Sequence, residues 1–120
     1  MKLVYCVRRA SGMSEEDFHH YWRKVHGALA EECLPIMGAS KYVQSHTIST
    51  PLNDLIKEMK GLSEGFDGIA EIWWDDMDSL LKAMDSEKWQ ETQDRLFNDE
   101  SKFIDLAHSC SFFCSEEQLV

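Results

Sequence analysis

The chain has 120 residues, 43% of them hydrophobic, which suits one compact domain and leaves no room for a second of ordinary size. Its 22 acidic and 12 basic residues give a net charge of −10, which repels phosphate backbones and speaks against nucleic-acid binding. The apolar runs are only a few residues long, too short for a membrane span. The start, M-K-L-V-Y-C-V-R-R, has no small-residue cleavage site and reads as a strand in a cytoplasmic protein, not as a signal peptide.

Lys2 to Arg9 is rich in Val, Leu and Tyr and predicts the first strand. After a turn at Gly12, Ser14 is placed to cap a helix, with Glu15, Glu16 and Asp17 complementing its positive end. The helix is expected to reach Glu32 or Cys33 and to stop near Pro35. Phe18, Tyr21, Trp22, Val25 and Leu29 fall on one face at helical spacing, with His26 at the edge of that face and Gly27 as a weak point after it. Two readings of this face stand side by side: an amphipathic core helix with a histidine at its margin, and a pocket wall into which His26 points. His19 and His20 fall on the wet side.

Lys41 to Ser49 is β-branched and aromatic and predicts a second strand, with Tyr42, Gln44 and His46 on one face. Tyr, Gln and His do not make an ordinary core face, so this one is either exposed or lines something polar. Thr50 to Gly65 carries Leu52, Leu55, Ile56 and Met59 at helical spacing, a short helix within an excursion. Ile69 to Trp74 is a third strand, with Ala70, Ile72 and Trp74 on one side. Asp75 and Asp76 lead a helix with the stripe Met77, Leu80, Leu81 and Met84, and Ser86 caps a further short helical piece containing Trp89, Gln93, Leu96 and Phe97. Phe103, Ile104 and Leu106 form an apolar patch before a last strand, His108 to Ser115.

The order β-α-β, β-α-β with extra helical segments predicts an α+β, ferredoxin-like plan: an antiparallel sheet with helices on one face. The other face would be bare in a monomer yet apolar, which a self-complementary homodimer would bury. Cys6, Cys33, Cys110 and Cys114 lack metal-site spacing and read as free thiols. No metal is expected: His19, His20 and His26 lack the i, i+4 pairing of a helical zinc site, and Asp75, Asp76 and Asp78 lack the glycine and terminal Glu of a calcium loop. There is no Gly-rich phosphate loop or flavin signature.

Five segments in this order resemble the EthD family of dimeric α+β barrel proteins. They are F-H-H-Y-W-R-K-V-H-G-A-L (Phe18 to Leu29), K-Y-V-Q-S-H (Lys41 to His46), F-D-G-I-A-E-I-W-W-D (Phe66 to Asp75), S-E-K-W-Q (Ser86 to Gln90) and E-S-K-F-I-D (Glu100 to Asp105). The family's helix motif usually reads H-G-P-L, and Ala28 stands here in place of that proline. The resemblance implies a single domain over residues 1–120 and a homodimer with two sheets packed face to face. It also implies a pocket in each protomer between sheet and helices, and relatives that include both proteins of ether degradation clusters and cofactor-free enzymes on aromatic polyketides and related rings.

His26 and His46 are the candidate acid–base residues, expected to meet in one apolar hollow. Histidine near neutral pH can take a proton from a carbon acid or phenol and return it elsewhere. Tyr42 and Gln44 are candidate donors to a developing enolate, Tyr21 and Trp22 candidate ring-stacking walls, and Trp74 and His108 further candidate substrate contacts. The expected function is a cofactor-independent lyase or cyclase on a small hydrophobic aromatic or polyketide-like compound. Two alternatives carry the same pocket: an accessory protein that holds a hydrophobic intermediate for a partner oxygenase, and a cofactor-free monooxygenase.

Overall fold

The computed structural model describes Met1–Val120. Its strands are β1 (Lys2–Val7), β2 (Lys41–His46), β3 (Gly68–Trp73) and β4 (Cys110–Cys114). They form one antiparallel sheet in the order β2-β3-β1-β4. The first helical run is α1 (Glu15–His20), a π-helical stretch (Tyr21–His26) and α2 (Gly27–Ile36). The remaining helices are α3 (Pro51–Lys60), α4 (Met77–Met84) and α5 (Lys88–Phe103). This is the ferredoxin-like α+β arrangement that the order of elements predicts. No helix is long and apolar enough to cross a membrane.

Helix entry follows the sequence. The Ser14 hydroxyl accepts from the Asp17 amide, and Thr50 and Asp76 do the same for α3 and α4. The end of α2 does not follow it. Pro35 sits inside the last turn, on the exposed side, where one missing amide is tolerated. Gly38, at φ 81°, is the actual stop: its amide bonds the Pro35 carbonyl and the Ala39 amide bonds the Leu34 carbonyl, both at 3.0 Å.

The larger departure lies in the π-helical stretch. The Gly27 amide bonds the Trp22 carbonyl, five residues back instead of four. The extra residue carries the buried face forward, so that Phe18, Trp22, His26 and Ala30 are buried at steps of four, while Val25 turns out to 46% exposure. His26 is thereby moved from the edge of the face into it.

Strand bounds also shift: β1 ends at Val7, not Arg9, and β3 runs one residue earlier than Ile69–Trp74. β2 ends at His46, not Ser49, and β4 starts at Cys110, because Leu106–His108 forms a 3-10 turn. The last helical piece is far longer than expected, 16 residues, and packs on both α2 and the π-helical stretch. The core runs along the helix-covered face of the sheet, one part around Val7, Phe18, Trp22 and Phe103, the other around Ala30, Cys33, Leu34 and Leu96.

Candidate functional site

Asp99 sits on α5 at a buried position of its apolar stripe, after Thr92 and Leu96 and before Phe103. A carboxylate there needs partners, and the π-helical stretch supplies both. Tyr21 Oη donates to Asp99 Oδ1 at 2.5 Å, and His26 Nδ1 lies 2.9 Å from Asp99 Oδ2. In an ordinary α-helix residues five apart diverge; the i→i+5 winding brings Tyr21 and His26 to the same side. The carboxylate fixes the tautomer: Nδ1–H donates to Asp99 and leaves Nε2 as the unprotonated nitrogen. Burial pushes the imidazole below its ordinary pKa although Asp99 pulls the other way, so His26 is neutral and basic at Nε2 near pH 7.

His26 lines a hollow of about 50 Å³ between sheet and helices, walled by Val7, Ala70, Ile72 and Leu96 among others. Its other polar lining groups are Tyr5, Tyr42 and Glu100. Burial raises both tyrosines, Tyr5 to about 12 with a smaller push from Glu100. Burial, with Asp99 adding to it, lifts the Glu100 carboxyl to about 7. With His26, four titratable groups whose charged forms are disfavoured by one apolar enclosure mark this hollow as the candidate site.

His46 does not share it. Its ring stacks on Trp22, 4.3 Å between centroids, and Trp22 in turn lines the hollow. Its Nδ1 lies 2.7 Å from Nδ1 of His19, which is half-buried and not on the wet side as the helical spacing suggests. Burial, then Arg23 and His19, lower His46 to about 4. Its Nε2 bonds Gln44 Oε1 at 2.8 Å, and Gln44 Nε2 donates at 2.9 Å to both the Tyr42 hydroxyl and the Trp22 carbonyl. The amide of Gln44 is thus fully committed: it pins the unusual turn of the helix and orients Tyr42.

The other candidates divide. Trp22 and Tyr42 line the hollow, whereas Tyr21 reaches it only through Asp99. Trp74 is buried in the core with Nε1 donating to the Met37 carbonyl at 3.0 Å. His108 is exposed and bonds Asp105 at 2.8 Å, away from the site, because the chain turns before β4. Asp99, Glu100 and Tyr5 are the residues the sequence reading passed over. Asp99 falls three residues after Leu96 and four before Phe103, a spacing that has meaning only once one helix runs through all three. No three histidine, cysteine, aspartate or glutamate side chains converge closely enough to hold a metal ion.

A wider groove of about 1160 Å³ lies between α3 and the β1–α1 turn. Its cations are engaged, Arg9 with Asp67 at 2.8 Å, Lys57 with Glu64 at 2.5 Å and Arg8 with the His108 and Gly65 carbonyls, and its walls are open to water. Paired charges in water make it a solvated surface and not a reaction site.

These features place the chain in a known class of fold. Residues 10–107 match the EthD domain, and the chain belongs to the EthD family. Decarboxylase AgnL1 of Paecilomyces divaricatus is 24% identical over 110 residues, 89% of this chain and 72% of that protein. An EthD family protein from Bacillus halodurans C-125 superposes with a TM-score of 0.63 at 17% identity, covering 97% of each chain. HapK from Hahella chejuensis superposes with a TM-score of 0.55 at 11% identity, covering 100% of this chain and 98% of its own. At such identities the two structures share the fold and nothing finer.

Proposed function

We propose that this chain is a cofactor-free lyase, a decarboxylase in the first instance, acting on a small hydrophobic aromatic or polyketide-like acid. The observation that carries the reading is His26: neutral, buried, held in one tautomer by Asp99, and facing an apolar hollow. Such a group takes a proton from a substrate acid and returns it to carbon within one enclosure. The decarboxylase named among the relatives supports the reaction class. His46 acts at one remove, positioning Tyr42 and the helix through Gln44.

A hollow of about 50 Å³ holds water but no ring. Small-molecule pockets run to several hundred Å³, roughly 300–1,000. Binding therefore displaces side chains that wall it. A homodimer through the uncovered sheet face is part of the same reading; that face carries Ile69 and Phe112, both exposed.

The test is turnover of a panel of aromatic β-keto acids by the wild type and by His26→Ala, followed as released carbon dioxide. A fall of roughly 10²–10⁴-fold is expected. Undiminished turnover in His26→Ala removes the mechanism. Binding without turnover assigns the chain to holding an intermediate for a partner enzyme, and oxygen uptake with an anthrone assigns it to monooxygenation.

A further inference from the structure

Glu100 is the group in the hollow that this mechanism leaves idle. It comes from α5, one residue after the carboxylate that orients His26, and its side chain lines the same hollow. The groups that bear on it are Asp99 from its own helix, Tyr5 from β1, Tyr42 from β2 and His26 from the π-helical stretch. None is a cation, and no hydrogen-bond donor holds its carboxyl in the charged form. A carboxylate in that setting would be both desolvated and repelled by Asp99. A neutral carboxylic acid is the form the surroundings favour, and it is the one lining side chain able to give up a proton near neutral pH, since both tyrosines hold theirs more tightly.

We propose that Glu100 is a second catalytic residue, the acid that protonates the substrate's carbonyl oxygen, so that the site takes acids whose carboxyl group lies β to a ketone or its ring equivalent. This rests on the reading of His26 given above and assigns the opposite proton transfer. His26 takes the proton of the substrate's carboxyl group. The bond from the α-carbon to that group then breaks and carbon dioxide leaves. The released electron pair forms the enol double bond, and the carbonyl oxygen takes the proton of Glu100. His26 returns its proton to the α-carbon, and the enol hydroxyl gives its proton back to the Glu100 carboxylate. The sum is one acid converted to one ketone and carbon dioxide, with both side chains restored and no oxidant or reductant consumed. One base and one acid with opposed ionisation preferences in a single enclosure is the division of labour this chemistry needs.

The first test needs no substrate. Infrared spectra of the wild type minus Glu100→Gln, an isosteric change, are followed from pH 5 to 9. A protonated carboxyl band present at pH 6 and lost through about pH 7 is expected; a carboxylate band already complete at pH 6 overturns the proposal whatever the reaction is. The second uses 9-fluorenone, whose carbonyl accepts but does not donate. Wild-type affinity should fall several-fold between pH 6 and 8.5, stay level in Glu100→Gln, whose amide donates throughout, and be low at every pH in Glu100→Leu. Fluorenone affinity that is flat with pH in the wild type, or no binding, overturns the assignment of that end of the hollow. If turnover of β-keto acids is lost in His26→Ala but untouched in Glu100→Gln, the Glu100 proposal fails and the reading of His26 stands. If His26→Ala is fully active while Glu100→Gln has lost turnover, the reading of His26 fails and the acid role of Glu100 stands without it.

Discussion

The two faces of the sheet are cut from alternate residues of the same strands, yet they solve opposite problems. On the helix-covered face Tyr5, Tyr42 and Gln44 stand among Val7, Ala70 and Ile72, so polar groups are buried and either bonded or aimed into the hollow. On the other face Ile69 and Phe112 are exposed, and the charged pair is Lys2 with Glu71, at 2.5 Å. The covered face thus sets bonded polar groups into an apolar core, while the other leaves apolar side chains exposed beside an ion pair. Both features cost a monomer whose only task is to fold, and they are what a ligand site on one side and a protein contact on the other would require.

The sharpest way to test the contrast is to remove the same kind of group from each face. Asp99→Ala strips the partner from the buried His26 Nδ1 and from the half-buried Tyr21 hydroxyl. A buried donor left unpaired costs about 1–3 kcal/mol and the wetter tyrosine less, so urea unfolding should report roughly 2–5 kcal/mol in total. Activity should fall with it, because the imidazole loses its fixed tautomer. Glu71→Ala on the bare face breaks an ion pair of which both members keep some contact with water, and should cost under about 1 kcal/mol. Equal losses in the two variants would erase the distinction between the faces.

Next in size is packing. The Trp22 indole lies directly over Gly68, where an added Cβ would overlap the ring and the Ser45 carbonyl. Gly68→Ala should therefore destabilise by about 1–3 kcal/mol through overpacking. It should also disturb His46, whose ring packs against the same indole. Gly65, with nothing near its Cβ position, is the matched control and should stay within about 0.5 kcal/mol. Thermal melts of the pair check this.

How much of this the sequence disclosed follows from the same geometry. The cap at Ser14, the polar face Tyr42–Gln44–His46 and the succession of strands and helices along the chain needed only local period and capping chemistry, and these the chain states openly. The π-helical turn was hidden because a period of 3.6 assigns Val25 inward and His26 to the edge. The steps of four from Phe18 through Trp22 and His26 to Ala30 were its only trace. Asp99 and Glu100 were hidden because N-D-E-S-K reads as a solvated helix face. Only the packing of α5 on the π-helical stretch turns those two carboxyl groups inward. The separation of His46 from His26 depends on where one indole lies, which no pattern of residues specifies.

The titration of the covered face gives a third prediction, of opposite sign for its acid and its bases. Glu100 holds its proton to about pH 7 in the fold against an ordinary 4.5, so its stability contribution is complete below 4.5 and is lost as pH rises through 7. Glu100→Gln should thus gain on the wild type between those values, by up to about 3 kcal/mol at 1.36 kcal/mol per unit. His26 and His46 are both lowered, so they work the other way: the unfolded chain binds their protons first, and stability falls as pH drops below about 6.5. Melting temperatures from pH 4 to 9 separate the two. A Glu100→Gln advantage that does not grow with pH would place that carboxyl in water.

The smallest effect on folding, and the one specific to the bare face, comes from charging it. Phe112→Lys and Ile69→Lys replace side chains that are 51% and 37% exposed, so little is lost inside one protomer and each melt should shift by less than about 1 kcal/mol. If two protomers meet through this face, however, each substitution places two like charges in one contact, since a two-fold axis repeats every change. Light scattering should then show wild-type dimers and variant monomers at the same concentration, with the infrared band of Glu100 unchanged because the sheet stands between. A wild type that runs as a monomer, or variants that keep the dimer mass, would leave the exposed apolar residues without a partner on this side. The unpacked stripe of α3, where Leu52, Leu55 and Met59 are at least half exposed, would then be the contact to charge instead.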